Sequence, residues 1–413
     1  MNREEFIEKY AVDRKSTRSL KWDYLKQCFG DADLVPMWVA DMDFKTCEAV
    51  QEALKERVDH GVFGYTYISD SYYKAVFDWE ETHFGYRPKK EELRLGTGVV
   101  PSLYLFVNCF TQPEDAVIIL TPVYYPFHEC VINCNRKLVT CDLNYDNGYF
   151  SVDFEAFEKA IVENEVKMFL LCSPHNPIGR VWTETELECL LDICQRHKVL
   201  VISDEIHQDF VFGDRKHMAA PAVAKGKYAD NTVLVNAASK SFNTAALIHA
   251  NIYIHNPELR RTFDQYRKVH NETTQNIMGL TATEAAYTKG ARWLDGLRSV
   301  IQANYDYMKK ELNEKVPEIT VCSMEGTYLP MLDMRKVIDT TDDKIIHLPN
   351  GKPVEESLFD FVQNKCRLAV DYGSWFGKNA GGFIRLNLAT TPENVERTVS
   401  NLIRECKKQI EQK

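Results

Sequence analysis

The sequence predicts an α/β fold built around a mostly parallel sheet. Four short apolar runs are typical of strands that are covered on both faces. They occupy residues 116–120, 167–172, 199–203 and 232–235. Residues 184–197, between the second and third runs, have helical periodicity, because Leu187, Leu190, Leu191 and Cys194 recur at steps of three and four. Strands that alternate with helices favour a parallel α/β sheet.

Length and composition limit the possible partners. A chain of 413 residues, 45% of them hydrophobic, can bury one large core and a second, smaller one. Its net charge of -10 argues against binding to nucleic acid or to anionic membranes. No segment resembles a signal peptide or a membrane span, so a cytoplasmic protein with a small-molecule partner is expected.

The twelve cysteines are scattered singly and form no CxxC pair. In a reducing compartment they are expected to be core thiols, and no metal site is predicted.

Each of the four predicted strands ends in an unusual polar segment. These segments are TPVYYPF (121–127), SPHNPIG (173–179), DEIHQD (204–209) and NAASK (236–240). Each alone could be an ordinary turn between a strand and a helix. Ligands of parallel sheets bind beyond the carboxyl ends of the strands, so the four segments together predict one site.

Lys240 indicates what this site binds. A lysine at the end of a buried strand is costly unless its amine is used. Pyridoxal 5'-phosphate needs an amine for its aldehyde, a carboxylate for its ring nitrogen, a donor for its 3-oxygen and a stacking ring. Lys240, Asp204, Asn176 and Tyr124 respectively are candidates for these roles.

The cofactor phosphate needs a further partner, and a helix N-terminus is suited to it. The segment GTGVVPSL opens an apolar helix that contains Leu103, Phe106, Val107 and Phe110. The backbone amides of Gly98, Val99 and Val100 are therefore predicted to bind the phosphate.

A series of motifs resembles a known family. They are PMWVADMDF (36–44), GVFGYTY (61–67), TGVVPSL (97–103), TPVYYPF, SPHNPIG, SDEIHQD, SKSFN (239–243), EGTY (325–328) and FIRLNLAT (383–390). In this order they resemble the fold-type I pyridoxal-phosphate enzymes of the class I and II aminotransferase superfamily. Within it, the chain most resembles the MalY/PatB-like cystathionine β-lyases, or C–S lyases.

The resemblance implies a domain organisation and an oligomeric state. Residues 49–288 would form the large cofactor-binding domain, and residues 1–48 and 289–413 the small α/β domain. The family is dimeric with shared active sites, and Tyr65 matches a tyrosine that reaches the phosphate bound by the partner subunit. The alternative is that Tyr65 is a core aromatic residue.

The resemblance also assigns further site residues. Arg385 matches an arginine that grips the substrate α-carboxylate, with Tyr124 beside it; a surface ion pair is the alternative for Arg385. His207 lies where many aminotransferases have a tyrosine near the 3-oxygen, and the alternative is a histidine satisfied by the backbone. Many aminotransferases have a phosphate-binding arginine where this chain has Ile248. Ser239 and Tyr65 are candidates to replace that contact.

The implied function is cleavage of the Cβ–S bond of L-cystathionine or a related cysteine conjugate, which yields a thiol (homocysteine from cystathionine), pyruvate and ammonia. An L-amino acid aminotransferase is the alternative. A non-catalytic regulatory protein of this fold is disfavoured, because a scaffold gains nothing from buried ionisable groups.

Residues 339–357 form a longer segment than the subgroup leads us to expect. Its Pro-Asn-Gly sequence predicts a turn within a small hairpin or loop. Such a loop could border the active-site entrance and change which side chain is accepted, or it could be a solvated surface insertion.

Overall fold

The computed structural model describes residues 1–272 and 275–411. Its helices are α1 (Arg3–Tyr10), α2 (Leu20–Asp23), α3 (Leu25–Phe29), α4 (Glu48–His60), α5 (Asp70–Phe84), α6 (Val99–Phe110), α7 (Pro126–Asn133), α8 (Phe154–Glu163), α9 (Glu184–Arg196), α10 (Val223–Gly226), α11 (Ala238–Ser241), α12 (Pro257–Val269), α13 (Ile277–Lys289), α14 (Ala291–Lys315), α15 (Glu356–Phe359) and α16 (Pro392–Glu411).

The strands are β1 (Val35–Pro36), β2 (Leu93–Gly96), β3 (Ala116–Thr121), β4 (Lys137–Asp142), β5 (Asn144–Asp146), β6 (Tyr149–Ser151), β7 (Met168–Cys172), β8 (Leu200–Asp204), β9 (Thr232–Asn236), β10 (Ala250–Ile254), β11 (Thr320–Val321), β12 (Met331–Asp333), β13 (Ile345–His347), β14 (Pro353–Glu355), β15 (Leu368–Ala369), β16 (Asp371–Tyr372) and β17 (Phe383–Arg385).

A seven-stranded sheet in the order β2-β10-β9-β8-β7-β3-β4 forms the centre of the molecule. β4, β3, β7, β8 and β9 run parallel, and β10 is antiparallel to both of its neighbours. The predicted mostly parallel α/β sheet is therefore confirmed, and the four predicted apolar runs are β3, β7, β8 and β9.

Helices cover both faces of this sheet, which explains why its central strands are apolar throughout. On one face Phe106 of α6, Phe127 of α7 and Phe263 of α12 share a core with β3 and β7. On the other face Phe157 of α8 and Leu187 of α9 are buried. The predicted helix over residues 184–197 ends at Arg196, and a Thr183–Glu186 capping box fixes its start.

The two ends of the chain pack together. β1 pairs in parallel with β15, where Val35 is opposite Leu368. α1 packs on α14, and a separate four-stranded sheet has the order β11-β12-β17-β16. We keep the proposed division into residues 49–288 and residues 1–48 with 289–413 as a prediction.

The predicted hairpin in residues 339–357 is confirmed. β13 and β14 are antiparallel, with Ile345 opposite Glu355. Gly351 lies in the turn between them at φ +81°, a conformation that favours glycine.

All twelve cysteines are free thiols, most of them buried. Within residues 1–272 and 275–411, no helix has both the length and the apolar character that a membrane crossing requires.

Candidate active site

The carboxyl ends of four neighbouring strands place the predicted polar segments side by side. Asp204, at the end of β8, is in register with Cys172 of β7 and Val235 of β9. The backbone N–H of Tyr124, three residues after β3, donates to the backbone oxygen of Asn176 at 2.9 Å. These contacts show that the segments are one cluster and not four separate turns.

Lys240 lies in the short helix α11 that follows β9, and it is partly buried. Its Nζ donates to the backbone oxygen of Ala40 at 2.7 Å, and Tyr328 Oη donates to the same oxygen at 3.0 Å. Burial lowers the pKa of Lys240 to about 8, and the charge of Asp41 opposes that shift. An amine with a pKa of about 8 is neutral in about a tenth of molecules at pH 7, far more than an ordinary lysine.

Asp204 is the buried acid of the cluster, and its side chain is 4% exposed. Its Oδ1 accepts one hydrogen bond, from the N–H of Ile206 at 3.1 Å. Burial raises the pKa of Asp204 to about 7. A cationic group placed beside this carboxylate would lower that pKa again, so the site favours a ligand with a protonated nitrogen.

Arg385 approaches the cluster from β17 of the second sheet. Its Nη1 donates to Asn176 Oδ1 at 2.8 Å, and its Nη2 pairs with Asp371, its neighbour on β16. The arginine is 2% exposed, so the alternative of a surface ion pair is wrong. Its buried Nε has no hydrogen-bond partner among the described residues. The guanidinium therefore retains a free donor at the site.

His207 and Tyr328 form one wall of the candidate active site. Their ring centroids are 5.8 Å apart, and Tyr328 is fully buried. Within the described part of the chain, no group is in hydrogen-bonding position to His207 Nδ1, so the backbone does not satisfy this nitrogen. Burial, together with Lys240 and Arg385, holds the pKa of His207 well below its usual value. His207 is therefore a neutral imidazole.

The N-terminus of α6 has the features of an anion-binding site. Gly98 precedes the helix at φ +155°, and a Cβ at this position would lie 3.3 Å from Pro101 Cδ. No side chain of the described residues caps the helix, so the amides of Val99 and Val100 stay available. Ser239, in α11, is partly buried beside Lys240.

Tyr124 is partly buried, and its ring centroid lies 4.9 Å from that of Tyr125. The pair forms an aromatic surface along the segment that follows β3. Within TPVYYPF, nothing in the sequence distinguishes Tyr125 from Tyr124 as a site residue.

Two further residues lie outside the cluster. Tyr65 is fully exposed within an extended segment, so the alternative of a core aromatic residue is wrong. Ile248 is also exposed, at φ +50°, and its apolar side chain cannot replace an arginine at a phosphate. In one isolated subunit Tyr65 contributes nothing to the site.

Sequence reasoning missed several groups that build the site. The main ones are Asp371, Ala40 and Asp209. Asp209 accepts hydrogen bonds from Trp79 Nε1 at 3.0 Å and from Ser241 Oγ. The bond from Ser241 anchors α11, the helix that carries Lys240. Asp371 could have been noticed as an acid within the apolar run 368–372. Ala40 acts through its backbone and leaves no signal in its residue type.

A buried polar network lies behind the strand ends. Glu80 is fully buried, and its Oε1 accepts from Gln208 Nε2 at 2.9 Å and Asn236 Nδ2 at 2.8 Å. Burial, with repulsion from Glu205 and Asp209, raises the pKa of Glu80 to about 8. Its Oε2 has no hydrogen-bond partner among the residues described.

We expect Glu80→Gln to change how stability depends on pH. The folded chain holds the Glu80 proton up to about pH 8, whereas the unfolded chain loses it near the ordinary value of 4.5. This group therefore makes stability fall as pH rises from about 4.5 to about 8. The melting temperature, measured from pH 5 to pH 9, should fall less steeply for the glutamine variant than for the wild-type protein. The amide oxygen of the glutamine keeps both accepted bonds. Equal slopes for both proteins would contradict the buried-proton assignment.

The donor set suits pyridoxal phosphate. The arrangement offers an amine of lowered pKa, a buried acid that favours a cation, and an uncapped helix N-terminus preceded by a glycine. The unpartnered Nε of Arg385 and Nδ1 of His207 are donors or acceptors left for a ligand. Fold and site together define a fold-type I pyridoxal-phosphate enzyme.

Comparison with known proteins agrees. The profile of the family described as "Aminotransferase class I and II" matches residues 32–402. The chain is 35% identical to cystathionine β-lyase PatB of Bacillus subtilis, over 93% of this chain and 97% of that protein. It is 34% identical to protein MalY of Escherichia coli, over 95% and 97% respectively.

A solved structure extends the likeness to the fold. The crystal structure of cystalysin from Treponema denticola, which contains pyridoxal 5'-phosphate, superposes with a TM-score of 0.88. The two chains are 34% identical, and the match covers 96% of this chain and 98% of cystalysin. The protein belongs to the class I and II aminotransferase family of pyridoxal-phosphate enzymes.

Proposed function

We propose that this protein is a carbon–sulfur β-lyase that acts on L-cystathionine or a related cysteine S-conjugate. The observation that carries the proposal is the convergence of Lys240, Asp204 and Arg385 on one cluster, from three distant parts of the chain. The naming of PatB as a cystathionine β-lyase supports the choice of reaction.

Each residue has a distinct role in this proposal. Pyridoxal phosphate, when bound, supplies an aldehyde that reacts with the substrate amine and a ring that withdraws electrons from Cα. Lys240, with its lowered pKa, takes the Cα proton. Asp204 holds the positive charge of the ring nitrogen, and Arg385 holds the substrate α-carboxylate.

The remaining predicted contacts position the cofactor. Asn176 can donate through its Nδ2 to the 3-oxygen, since its Oδ1 is occupied by Arg385. His207 would lie near the same oxygen, and Tyr124 would stack on the ring. The amides of Gly98, Val99 and Val100, with Ser239, would bind the phosphate.

The proposed reaction breaks the Cβ–S bond of the substrate. The thiol takes up a proton as it leaves, and water converts the remaining three-carbon fragment to pyruvate and ammonia. A thiol has an ordinary pKa of about 8.5, so it can depart without a strong acid. His207, whose pKa burial holds well below its usual value, is then not required as an acid for this step.

The test is to incubate the purified protein, loaded with pyridoxal phosphate, with L-cystathionine and no keto acid, and to measure pyruvate and free thiol together. The lyase proposal expects both products in equal amounts. If neither forms, and an amino acid with 2-oxoglutarate yields glutamate, the protein is an aminotransferase. If the protein binds no cofactor at all, the regulatory alternative would replace both.

We further propose that the working enzyme is a homodimer with shared sites. The support is the segment between α4 and α5, where Val62, Phe63, Tyr65 and Tyr67 are all exposed in the single chain. Exposed aromatic residues in one segment are typical of an interface. Tyr65 would reach the phosphate of the partner subunit and replace the arginine that Ile248 cannot supply. A cytoplasmic location remains part of this proposal.

Mixing two inactive variants tests this arrangement. In a mixed dimer of Lys240→Ala and Tyr65→Ala subunits, one site regains both Lys240 and Tyr65, because each subunit supplies what the other lacks. Random reassortment of equal amounts should restore about a quarter of the wild-type activity, since half of the dimers are mixed and each has one intact site. Lys240→Ala mixed with a Lys240→Ala, Tyr65→Ala double variant is the control and should stay inactive. If the Tyr65→Ala variant alone has full activity, Tyr65 is not part of the active site.

A further inference from the structure

The β13–β14 hairpin packs against the rim of the candidate site. Trp375 Nε1 donates to the backbone oxygen of Pro353 at 2.7 Å, and Ser374 Oγ donates to Glu355 Oε2 at 3.3 Å. These bonds fix the second strand of the hairpin to the segment that precedes β17, the strand of Arg385. The second strand of the hairpin is therefore ordered against this segment, while most of residues 339–357 are exposed, as the alternative of a solvated surface insertion expects.

Lys352 projects from this hairpin onto the aromatic surface of the site. Its Nζ lies 3.2 Å from the ring centroid of Tyr125 and 5.3 Å from that of Trp375. Lys352 Nζ also lies 3.8 Å from Glu129 Oε1, which is a long ion pair. The side chain is 27% exposed, so the ammonium is held in place and is still accessible to a ligand.

The side chain of Lys352 lines a cavity of about 690 Å³ between α7, the edge of the large sheet and the hairpin. Tyr125 and Trp375 form an aromatic part of its wall. Lys352 and Lys378 are its positive groups, and Glu129 and Asp142 are its negative groups. A cavity with both signs of charge suits a ligand that carries both an ammonium and a carboxylate.

This cavity adjoins the cluster around Arg385. Tyr125, which lines the cavity, has its ring centroid 4.9 Å from that of Tyr124, the proposed stacking residue, and 6.3 Å from that of Phe376. The guanidinium carbon of Arg385 lies 4.8 Å from the Phe376 ring centroid. The rings of Tyr125 and Phe376 therefore connect the cavity that Lys352 lines with Arg385. One substrate could thus contact Arg385 at one end and Lys352 at the other.

We propose, on the basis of the lyase function above, that Lys352 determines substrate specificity by binding a carboxylate at the far end of the leaving thiol. Glu129 receives the ammonium of the same end. The preferred substrates are then cysteine conjugates whose thiol is itself an amino acid, as in L-cystathionine. Conjugates with an uncharged alkyl thiol gain nothing from this cavity.

The experiment compares kcat/KM for L-cystathionine with kcat/KM for S-ethyl-L-cysteine. Lys352→Gln should reduce the ratio of the two values about ten-fold or more, since a charge-assisted bond to the distal carboxylate is lost. Lys352→Arg should restore most of the ratio. Lys344→Gln, a change of an exposed lysine on the same hairpin, is the matched control and should leave the ratio unchanged.

Two outcomes would overturn the proposal. If kcat/KM is unchanged for both substrates in Lys352→Gln, the lysine does not contact the distal group. If kcat/KM falls by the same factor for both substrates, Lys352 only supports the hairpin. If the wild-type protein cleaves neither substrate, the lyase proposal itself fails. The specificity proposal is then tested by binding, which the absorbance of the bound cofactor reports for each amino acid. The wild-type protein should bind L-cystathionine more tightly than S-ethyl-L-cysteine, and Lys352→Gln should remove this difference.

Discussion

Replacement of Lys240 by alanine is expected to lower kcat for pyruvate release by at least about 10³-fold. The variant loses an amine whose pKa burial lowers and on which the charges of Asp204 and Arg385 both act. The backbone oxygen of Ala40 keeps Tyr328 as a donor, so the fold should survive. Pyruvate formation and cofactor content are measured together, and added methylamine should restore part of the proton transfer.

The matched control is Lys55→Ala, which removes an exposed lysine from α4. It should retain wild-type kcat and cofactor content. If Lys240→Ala keeps more than about a tenth of wild-type turnover, the amine is not the base that takes the Cα proton.

Asp204→Asn should reduce kcat by about 10²- to 10⁴-fold, because an amide of the same shape cannot hold a positive charge on the ring nitrogen. The loss should appear mainly in kcat, since the phosphate and Lys240 still retain the cofactor. Steady-state kinetics and the absorbance of the bound cofactor separate the two effects.

Glu205→Gln is the control for Asp204→Asn. Glu205 is the next residue, fully buried, and its carboxylate accepts from Ser203 Oγ at 2.8 Å and the N–H of Ala220 at 2.8 Å. It should lower the melting temperature and leave kcat near the wild-type value. If the two variants lose kcat equally, Asp204 has no special relation to the ring nitrogen.

The sequence was sufficient to predict the large sheet, because its signal is local. Buried parallel strands need unbroken apolar runs, and the four runs before TPVYYPF, SPHNPIG, DEIHQD and NAASK are β3, β7, β8 and β9. Element boundaries differ from the predicted ones by one residue: β7 begins at Met168, β8 at Leu200, β3, β8 and β9 end one residue later than predicted, and α9 ends at Arg196.

The rest of the site depends on contacts between distant parts of the chain. Ala40 acts through its carbonyl, and Asp371 becomes a partner of Arg385 only when β16 and β17 pair. In the sequence, Lys352 is one of several charged residues in a polar segment. Its proposed role in substrate specificity rests on the contact with the Tyr125 ring, which only the structure shows. Tyr65 contributes nothing within one subunit, so its role could come only from the family resemblance.

The parallel pairing of β1 with β15 has a consequence for biosynthesis. Val35 is synthesised 333 residues before its partner Leu368. Until then the N-terminal segment, including Ala40 and its carbonyl beside Lys240, has no completed docking surface. The large sheet can form before β15 is made, whereas closure of the active site waits for β15 and is a step with high contact order. Truncations near the C-terminus should therefore disable the lysine site from a distance, through the loss of its N-terminal wall.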